Sequence, residues 1–538
     1  MGYSWARAPK SRVFVGCVAA LTAHAAFAQS RANEAQPQTQ GAKAPVRVFD
    51  IEAYDVDGAK LLQQVEVETA VYPYLGPGRT AADVEKARMA LERAYRDRGY
   101  QSVVVEVPAQ SVSDNIVRLH VVEAPVGRLR VTGSRYFSPE VIRHEAAAFQ
   151  EGQVPNITEA QSELTEINRL PDRRVTPVLR AGVAPGTVDV DLKVNDTLPL
   201  HGSLELNNDH NQYTDPLRLL GTIHYDDLWQ LGHSASFTYV TAPQNIENSQ
   251  VFAGSYLAPI WNSPFSILGY GYDSNSNVAT LGGTTVLGKG YALGVRSILQ
   301  LPSRGDLSQS VSFGFDYKNF AEDINFSQTN AVVQYWPMNL VYNIQKDSTN
   351  LSTKVSLGVT AGIRGLGDSE PVFQYTRFDA TPSFIHINLD LTQTETFAGG
   401  FVAAQHVTGQ LTDQPLVSSE EFSAGGLTSV RGYLQSEAVG DQGVSGSLEL
   451  RTPSEPPHFA PFVDELRLYV FTDGAVVRVL DPLAGQSNMF ELASAGLGLR
   501  IGVLKHLKGD IVVAVPFLSG VATHADTPRT TFSLKSEF

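Results

Sequence analysis

The pattern of hydrophobic and polar positions changes character once along this chain, near Leu198. Upstream, short helical and strand patterns take turns. Val84, Ala87, Leu91 and Ala94/Tyr95 recur at helical spacing behind a variant capping box, Thr80 with Asp83, and Gly99 stands where a helix stops. This predicts a helix over 81–98. Runs rich in Val, Ile and Leu at 101–107 and 116–122 read as strands. From Val126 the plan repeats, with a strand at 128–131, a helix opened by Ser138-Pro139, a helix over 158–170, and strands at 174–180 and 187–194 parted by Pro185-Gly186. The two units, 46–123 and 124–196, are each close to the smallest size that can bury a core. They read as tandem α+β modules.

Beyond Leu198 helical periodicity disappears, and segments of alternating character are separated by Gly, Asn, Asp, Ser and Pro clusters. In 235–239, Ala235, Phe237 and Tyr239 share a face, and Ser234, Ser236 and Thr238 take the other. In 310–317, Val311, Phe313, Phe315 and Tyr317 oppose Ser310, Ser312, Gly314 and Asp316. Large apolar against small polar is the lipid-out, lumen-in signature of a membrane barrel strand. A soluble sandwich alternates too, but runs such as 285–299, 330–344 and 352–364 exceed the usual sandwich strand of about five or six residues. Turn signals divide 197–538 into about sixteen strands, an even number that suits a bacterial outer-membrane barrel. The fold class expected is mainly β: a transmembrane antiparallel barrel preceded by two small α+β modules. In the last strand Phe532, Leu534 and the terminal Phe538 share a face with Ser536, opposite Ser533, Lys535 and Glu537. A final strand that ends in an aromatic residue resembles the signal by which outer-membrane barrels are recognised for insertion.

The first 28 residues place this architecture outside the cytoplasm. Arg7, Lys10 and Arg12 precede a short apolar stretch from Val13 to Ala26, and Ala26-Phe27-Ala28 before Gln29 reads as a cleavage site. The stretch is well short of the roughly 20 residues a spanning helix needs. Residues 29–45 are polar and without an apolar period, as in a flexible lead-in. The only cysteine, Cys17, lies in the leader, so the mature chain has neither a disulfide framework nor a thiolate metal site. With 41 Lys and Arg against 56 Asp and Glu, the net charge is −15 and no basic block offers a nucleic acid its phosphate contacts. Mean hydropathy is only −0.11, as a barrel with a polar lumen allows. The motifs of catalysis are missing: there is no nucleophile elbow, HExxH, Walker loop or paired CxxC, and the 12 histidines are scattered singly. An enzyme, a cofactor and a metal are therefore not expected.

The longest expected connection runs over 407–442, between strands placed at 394–407 and 443–452, and contains Gly425-Gly-Leu-Thr-Ser-Val-Arg-Gly-Tyr433. A loop of that length in a compact architecture is usually functional or disordered. Two strands later, Tyr469-Val-Phe-Thr-Asp-Gly-Ala475 alternates so that Arg467, Tyr469, Phe471 and Asp473 share one face, and Leu466, Leu468 and Val470 take the other. The apolar set meets lipid, which turns Asp473 inward, where a carboxylate needs a partner. At these residues the chain resembles the TpsB transporters of two-partner secretion, the haemolysin secretion/activation (ShlB/FhaC/HecB) family, within the superfamily that includes barrel-assembly proteins. In that family a VRGY/F loop folds into the barrel, and its arginine pairs with the aspartate of an F-x-D-x-G strand. Val430, Arg431, Gly432 and Tyr433 match the loop motif, and Phe471 and Asp473 match the strand motif. Ala475 stands where the strand motif ends in glycine. Pro73-Tyr-Leu-Gly76, Tyr95 to Gly99-Tyr100 and Pro108-Ala-Gln110 are similar to the first POTRA module of the family. Asn168 to Val175 with Pro185-Gly-Thr-Val-Asp189 is similar to its second, ShlB-like one.

The resemblance implies a translocator in the outer membrane with its modules in the periplasm. It would bind an unfolded exoprotein and secrete it without ATP. The partners implied are a large secreted TpsA-like haemolysin or adhesin, outer-membrane lipid, and the barrel-assembly machinery for insertion. Family members often begin with a plug helix, and no amphipathic pattern for one precedes the first module here. A barrel-assembly insertase and a passive porin with a periplasmic adaptor remain alternatives at this level.

Overall fold

In a bilayer every backbone N–H and C=O must be paired within the protein, and a β-structure meets that demand only by closing on itself. A computed structural model describes residues 47–538 apart from 112–113, 262, 277, 282–283, 324–329 and 456–459. The leader expected over 1–28 and the lead-in over 29–45 lie outside the described residues. From Leu200 onward the chain forms one closed barrel of sixteen antiparallel strands, each paired with its neighbour along the sequence. The last strand, Arg529–Glu537, closes the ring on the first, Leu200–Asn207, in a register running from Ser533↔Asn207 to Glu537↔Ser203.

The period-2 alternation is the barrel's inside and outside. Along Val463–Arg478, Leu468 and Val470 face outward with 57% exposure each, whereas Tyr469, Phe471 and Asp473 are buried. Phe237, Phe313 and Phe315 likewise point out, while Asp316 is buried within. Some strands are long, such as Leu307–Asp323, Asn330–Asp347 and Leu351–Gly367. Two expected strands were misplaced. The run expected at 394–407 straddles a tight turn: Ile385–Thr396 ends, Gly399 and Gly400 adopt φ of +88° and +83°, and Val402–Thr412 begins. Only glycine enters that left-handed region freely, and the flanking Phe397 and Phe401 disguise the turn as strand. The run expected at 285–299 is similarly cut at Gly288, which separates a small hairpin, Val278–Leu281 with Thr284–Leu287, from the wall strand Lys289–Arg304. The long connection is accordingly 413–441, since its preceding strand reaches Thr412.

Each N-terminal unit is a three-stranded sheet covered by helices. In the first, Ala53–Asp57 runs parallel to Ile116–Val122, which pairs antiparallel with Val104–Glu106. Val117, Leu119 and Val121 alternate inward against Val84, Leu91 and Tyr95 of the helix Ala81–Asp97. That helix starts as its capping pattern predicts, with the Thr80 N–H 3.0 Å and the Thr80 hydroxyl 2.8 Å from Asp83 Oδ2. The Thr80 hydroxyl, the Lys86 ammonium and the Thr80 N–H hold the Asp83 carboxyl down at about 2. A helix that the sequence pattern did not reveal, Gln64–Val71, packs beside it, because its apolar positions, Val67 and Val71, are too few to set a period. The second unit pairs Val126–Thr132 parallel and Arg173–Ala181 antiparallel with Val188–Asp196, under the helices Pro139–Glu145 and Ile157–Ile167.

The units meet at a glycine. Gly99, at φ +93° just past the helix Ala81–Asp97, offers its carbonyl to the Ile157 N–H at 2.9 Å. Asn156, the N-cap of the next helix, accepts from the N–H of Thr158 at 3.0 Å and sends its amide to the Arg98 carbonyl at 3.2 Å. A Cβ on residue 99 would stand 2.2 Å from Asn156 Oδ1. Gly99→Ala is therefore expected to destabilise this joint by about 1–2 kcal/mol from the left-handed backbone alone, with displacement of the Asn156 cap in addition. Limited proteolysis between the units should speed up several-fold; an unchanged cleavage rate would contradict this role for the glycine.

Candidate functional site in the barrel lumen

The first barrel strand leaves the second unit directly, so the connection 413–441 belongs to the opposite end of the barrel. It does not stay there. Phe422–Ala424 and Ala438–Gly440 pair as a short hairpin, and the segment between them descends into the lumen. Ala424, Val430, Tyr433 and Ala438 form an apolar side that packs on Ala475, Val477 and Leu492 of the wall. The Tyr433 hydroxyl donates to the Leu518 carbonyl at 2.7 Å and accepts from the Ala493 N–H at 3.2 Å. Gly432 lies at φ +95°, where a Cβ would come 3.0 Å from that of Ala514. The methyl of Ala475, at the position where glycine was expected, fills space in this cluster within an unbroken strand.

Arg431 sits at the inner end of the loop, and the wall is shaped around it. Its Nε and Nη2 donate to Asp473 Oδ2 and Oδ1, each at 2.8 Å, in a two-pronged pair, and its own N–H reaches Oδ2 at 3.0 Å. Nη1 donates to Glu449 Oε2 at 2.6 Å and Nη2 to Ser447 Oγ at 3.0 Å. The guanidinium lies 3.5 Å from the centroid of Phe471. The cluster extends further: Arg451 Nε donates to Glu449 Oε1 at 2.5 Å, and Arg500 Nη2 donates to Asp510 Oδ2 at 2.9 Å. Three guanidinium groups thus meet three carboxylates, and the charges balance. Exposure of the Arg431 and Asp473 side chains is 9% and 0%, so this pair is shielded and not a solvated surface bridge.

Val430, Arg431, Gly432, Tyr433, Phe471 and Asp473 therefore come together in one place. Phe532, Leu534 and Phe538 stand apart, at the closing seam. Leu534 and Phe538 face outward, and Phe538 exchanges backbone hydrogen bonds with Gly202 at 2.8 and 2.9 Å. Its ring lies over Gly202, where any Cβ would clash.

Two parts of the site lie outside the loop and strand motifs. Glu449 and Ser447 are legible from alternation in Gln442–Arg451, which turns Ser445, Ser447, Glu449 and Arg451 inward and Leu448 and Leu450 outward. A second station near the root of the loop was not legible. There Glu420, in the turn Ser418–Glu420, receives Lys318 Nζ and the Tyr335 hydroxyl at 2.6 Å each on Oε1, and His386 Nε2 lies 3.2 Å from Oε2. Gln410 Nε2 bridges the carbonyls of Glu420 (2.8 Å) and Asp441 (3.0 Å), so one wall residue holds both ends of the loop. Asp441 in turn receives Arg377 Nη2 at 3.1 Å.

A closed sixteen-stranded barrel with two α+β units at one end and a buried arginine loop inside it defines an outer-membrane transporter. A profile of the haemolysin secretion/activation protein family ShlB/FhaC/HecB matches residues 186–501, and one of the ShlB-type POTRA domain matches 49–124, which is the first unit and not the second, where the ShlB-like resemblance was placed. The chain belongs to the ShlB/FhaC/HecB family, the outer-membrane transporters of two-partner secretion. Among curated relatives it is 22% identical over 496 residues to the heme/hemopexin transporter protein HuxB of Haemophilus influenzae, covering 89% of this chain and 84% of that one. It is 21% identical over 430 residues to the outer membrane transporter CdiB of Dickeya dadantii, covering 75% and 72%. Among solved structures, CdiB from Escherichia coli aligns over 94% of this chain and 93% of its own with a TM-score of 0.62 at 18% identity, a likeness of fold. The N-terminal units accordingly lie in the periplasm, and 413–441 enters the lumen from the cell surface.

Removing one member of a buried, hydrogen-bonded ion pair leaves the other uncompensated, at a cost of about 3–5 kcal/mol. Arg431→Ala and Asp473→Ala should each make 413–441 accessible to protease added outside intact cells, while the barrel still inserts. The double variant should be little worse than either single one, because coupled residues are non-additive. Arg431→Lys should rescue only in part, since an ammonium lacks the planar fork. Fully additive effects, or a loop as protected in Arg431→Ala as in the natural chain, would contradict the pairing.

Proposed function

We propose that the periplasmic units, 46–196, capture the unfolded partner exoprotein, and that Arg431 is the inner anchor of a surface loop that must leave its place before the exoprotein passes. The observation that carries this reading is the Arg431 fork, two-pronged on Asp473 and bound also to Glu449, at the end of a loop lying in the path of transport.

The chemistry suits a latch. A buried pair gains little net stability over an apolar packing of the same shape, because desolvation offsets the attraction. It does specify one position, and it exchanges its hydrogen bonds readily for others once the site is wetted. The apolar side of the loop, around Val430 and Tyr433, adds a contact that a passing chain can displace. An unfolded exoprotein can add as an extended strand to the free sheet edges of the units, with main-chain hydrogen bonds that demand little sequence. Those edges are Ala53–Asp57 and Val104–Glu106 in the first sheet, and Val126–Thr132 and Arg173–Ala181 in the second. The chain's own folding outside the cell supplies the direction, with no nucleotide. The outward residues Phe532, Leu534 and Phe538 on the closing strand serve as the insertion signal read by the barrel-assembly machinery.

Deletion of 46–195 should leave an inserted barrel, with heat-modifiable gel mobility, that no longer secretes. Undiminished release of the partner protein into the medium would remove the periplasmic units from the mechanism.

A further inference from the structure

The histidines are isolated in the sequence, but the register of the barrel brings two of them together. His224 on Arg218–Leu228 stands directly opposite His201 on Leu200–Asn207. Their rings stack with centroids 4.9 Å apart and planes inclined by 26°. Asp226 follows two positions after His224 on the same inward face. One ligand atom from each of His201, His224 and Asp226 lies within 4.8 Å of the others. All three are partly exposed, at the periplasmic mouth of the lumen, where a small ion can reach them.

We propose that His201, His224 and Asp226 form a binding site for a divalent cation of the zinc type, with Asp172 of the second unit as the residue that orients His201. Two imidazoles and one carboxylate are the donor set that zinc takes in tetrahedral sites, with water completing the fourth position. Ligand atoms around zinc lie about 3.3 Å apart, given metal–ligand distances of roughly 2.0–2.1 Å. The present spacing needs only side-chain rotation to reach that, because the two backbones are held by the closed ladder. His201 Nε2 is 2.9 Å from Asp172 Oδ2, which leaves Nδ1 for the ion. A carboxylate on the second nitrogen of a ligating histidine is the usual outer partner of a metal site. His224 makes no hydrogen bond among the described residues, and its Nε2 stands 3.7 Å from Asp226 Oδ2. An imidazole this far from its one neighbouring carboxylate leaves room for an ion that both would ligate.

Asp172 lies in the turn before Arg173–Ala181, and its backbone carbonyl accepts from the Thr197 N–H at 2.9 Å, at the point where the unit hands over to the barrel. A cation here would pin the first two barrel strands to each other and, through Asp172, fix the angle at which the second unit meets the pore. It would set where a captured chain is delivered.

The test uses full-length protein without a histidine tag, in detergent, stripped with chelator and titrated with zinc chloride, with retained zinc counted by mass spectrometry after dialysis. One zinc per chain is expected. His201→Asn and His224→Asn should each lower affinity more than 100-fold. Asp172→Asn should keep the stoichiometry with affinity 10- to 100-fold weaker. Heat-modifiable mobility of each variant separates lost binding from lost folding. If the natural chain retains no zinc, or the double histidine variant retains as much, the site is overturned; if Asp172→Asn binds as tightly as the natural chain, its orienting role is.

Discussion

A polypeptide in lipid has nowhere to place an unpaired backbone group, and the consequences of that constraint run through the whole molecule. It forces the 200–537 region into a ring, so that Arg529–Glu537 must find Leu200–Asn207 and leave no edge. A ring of sixteen strands encloses a lumen, and alternation gives that lumen a polar wall. Charges on that wall then meet a second constraint, because ionised groups away from bulk water require partners. The Arg431 cluster and the Glu420 station are two solutions to it, and both use the same loop.

The two stations divide the work. Near the surface, Glu420 and Asp441 fasten the roots of the loop to Lys318, His386, Tyr335, Arg377 and Gln410. Deeper in the lumen, a single arginine holds the tip to two neighbouring strands. The roots can stay fixed while the tip moves, because the inner segment is held by Arg431 and by the Val430 and Tyr433 contacts around it, none of which belongs to the barrel's own ladder. A lysine at the tip would supply charge but not the two parallel hydrogen bonds that define its orientation.

The barrel was legible in the sequence because a period of 2 writes inside and outside directly into residue type. The same parity turned Asp473 inward and could have done so for Glu449, since Leu448 and Leu450 flank it. What stayed hidden depends on long-range placement. Glu420 lies in an aperiodic turn, and only the folding of its loop brings Lys318 and His386 to it. His201 and His224 face each other only once the register between their strands is known. The turn at 397–401 was hidden for a local reason, with two aromatic residues around a Gly-Gly pair that reads equally as strand.

The anchoring of the loop tip by Arg431 is the central claim, and ion flow through the pore tests it most directly. Single-channel conductance of the purified full-length protein in planar bilayers should be low for the natural chain. It should rise several-fold, with frequent open events, when Glu449→Gln and Asp473→Asn together leave Arg431 without carboxylates. Identical conductance and gating in the two proteins would contradict the account.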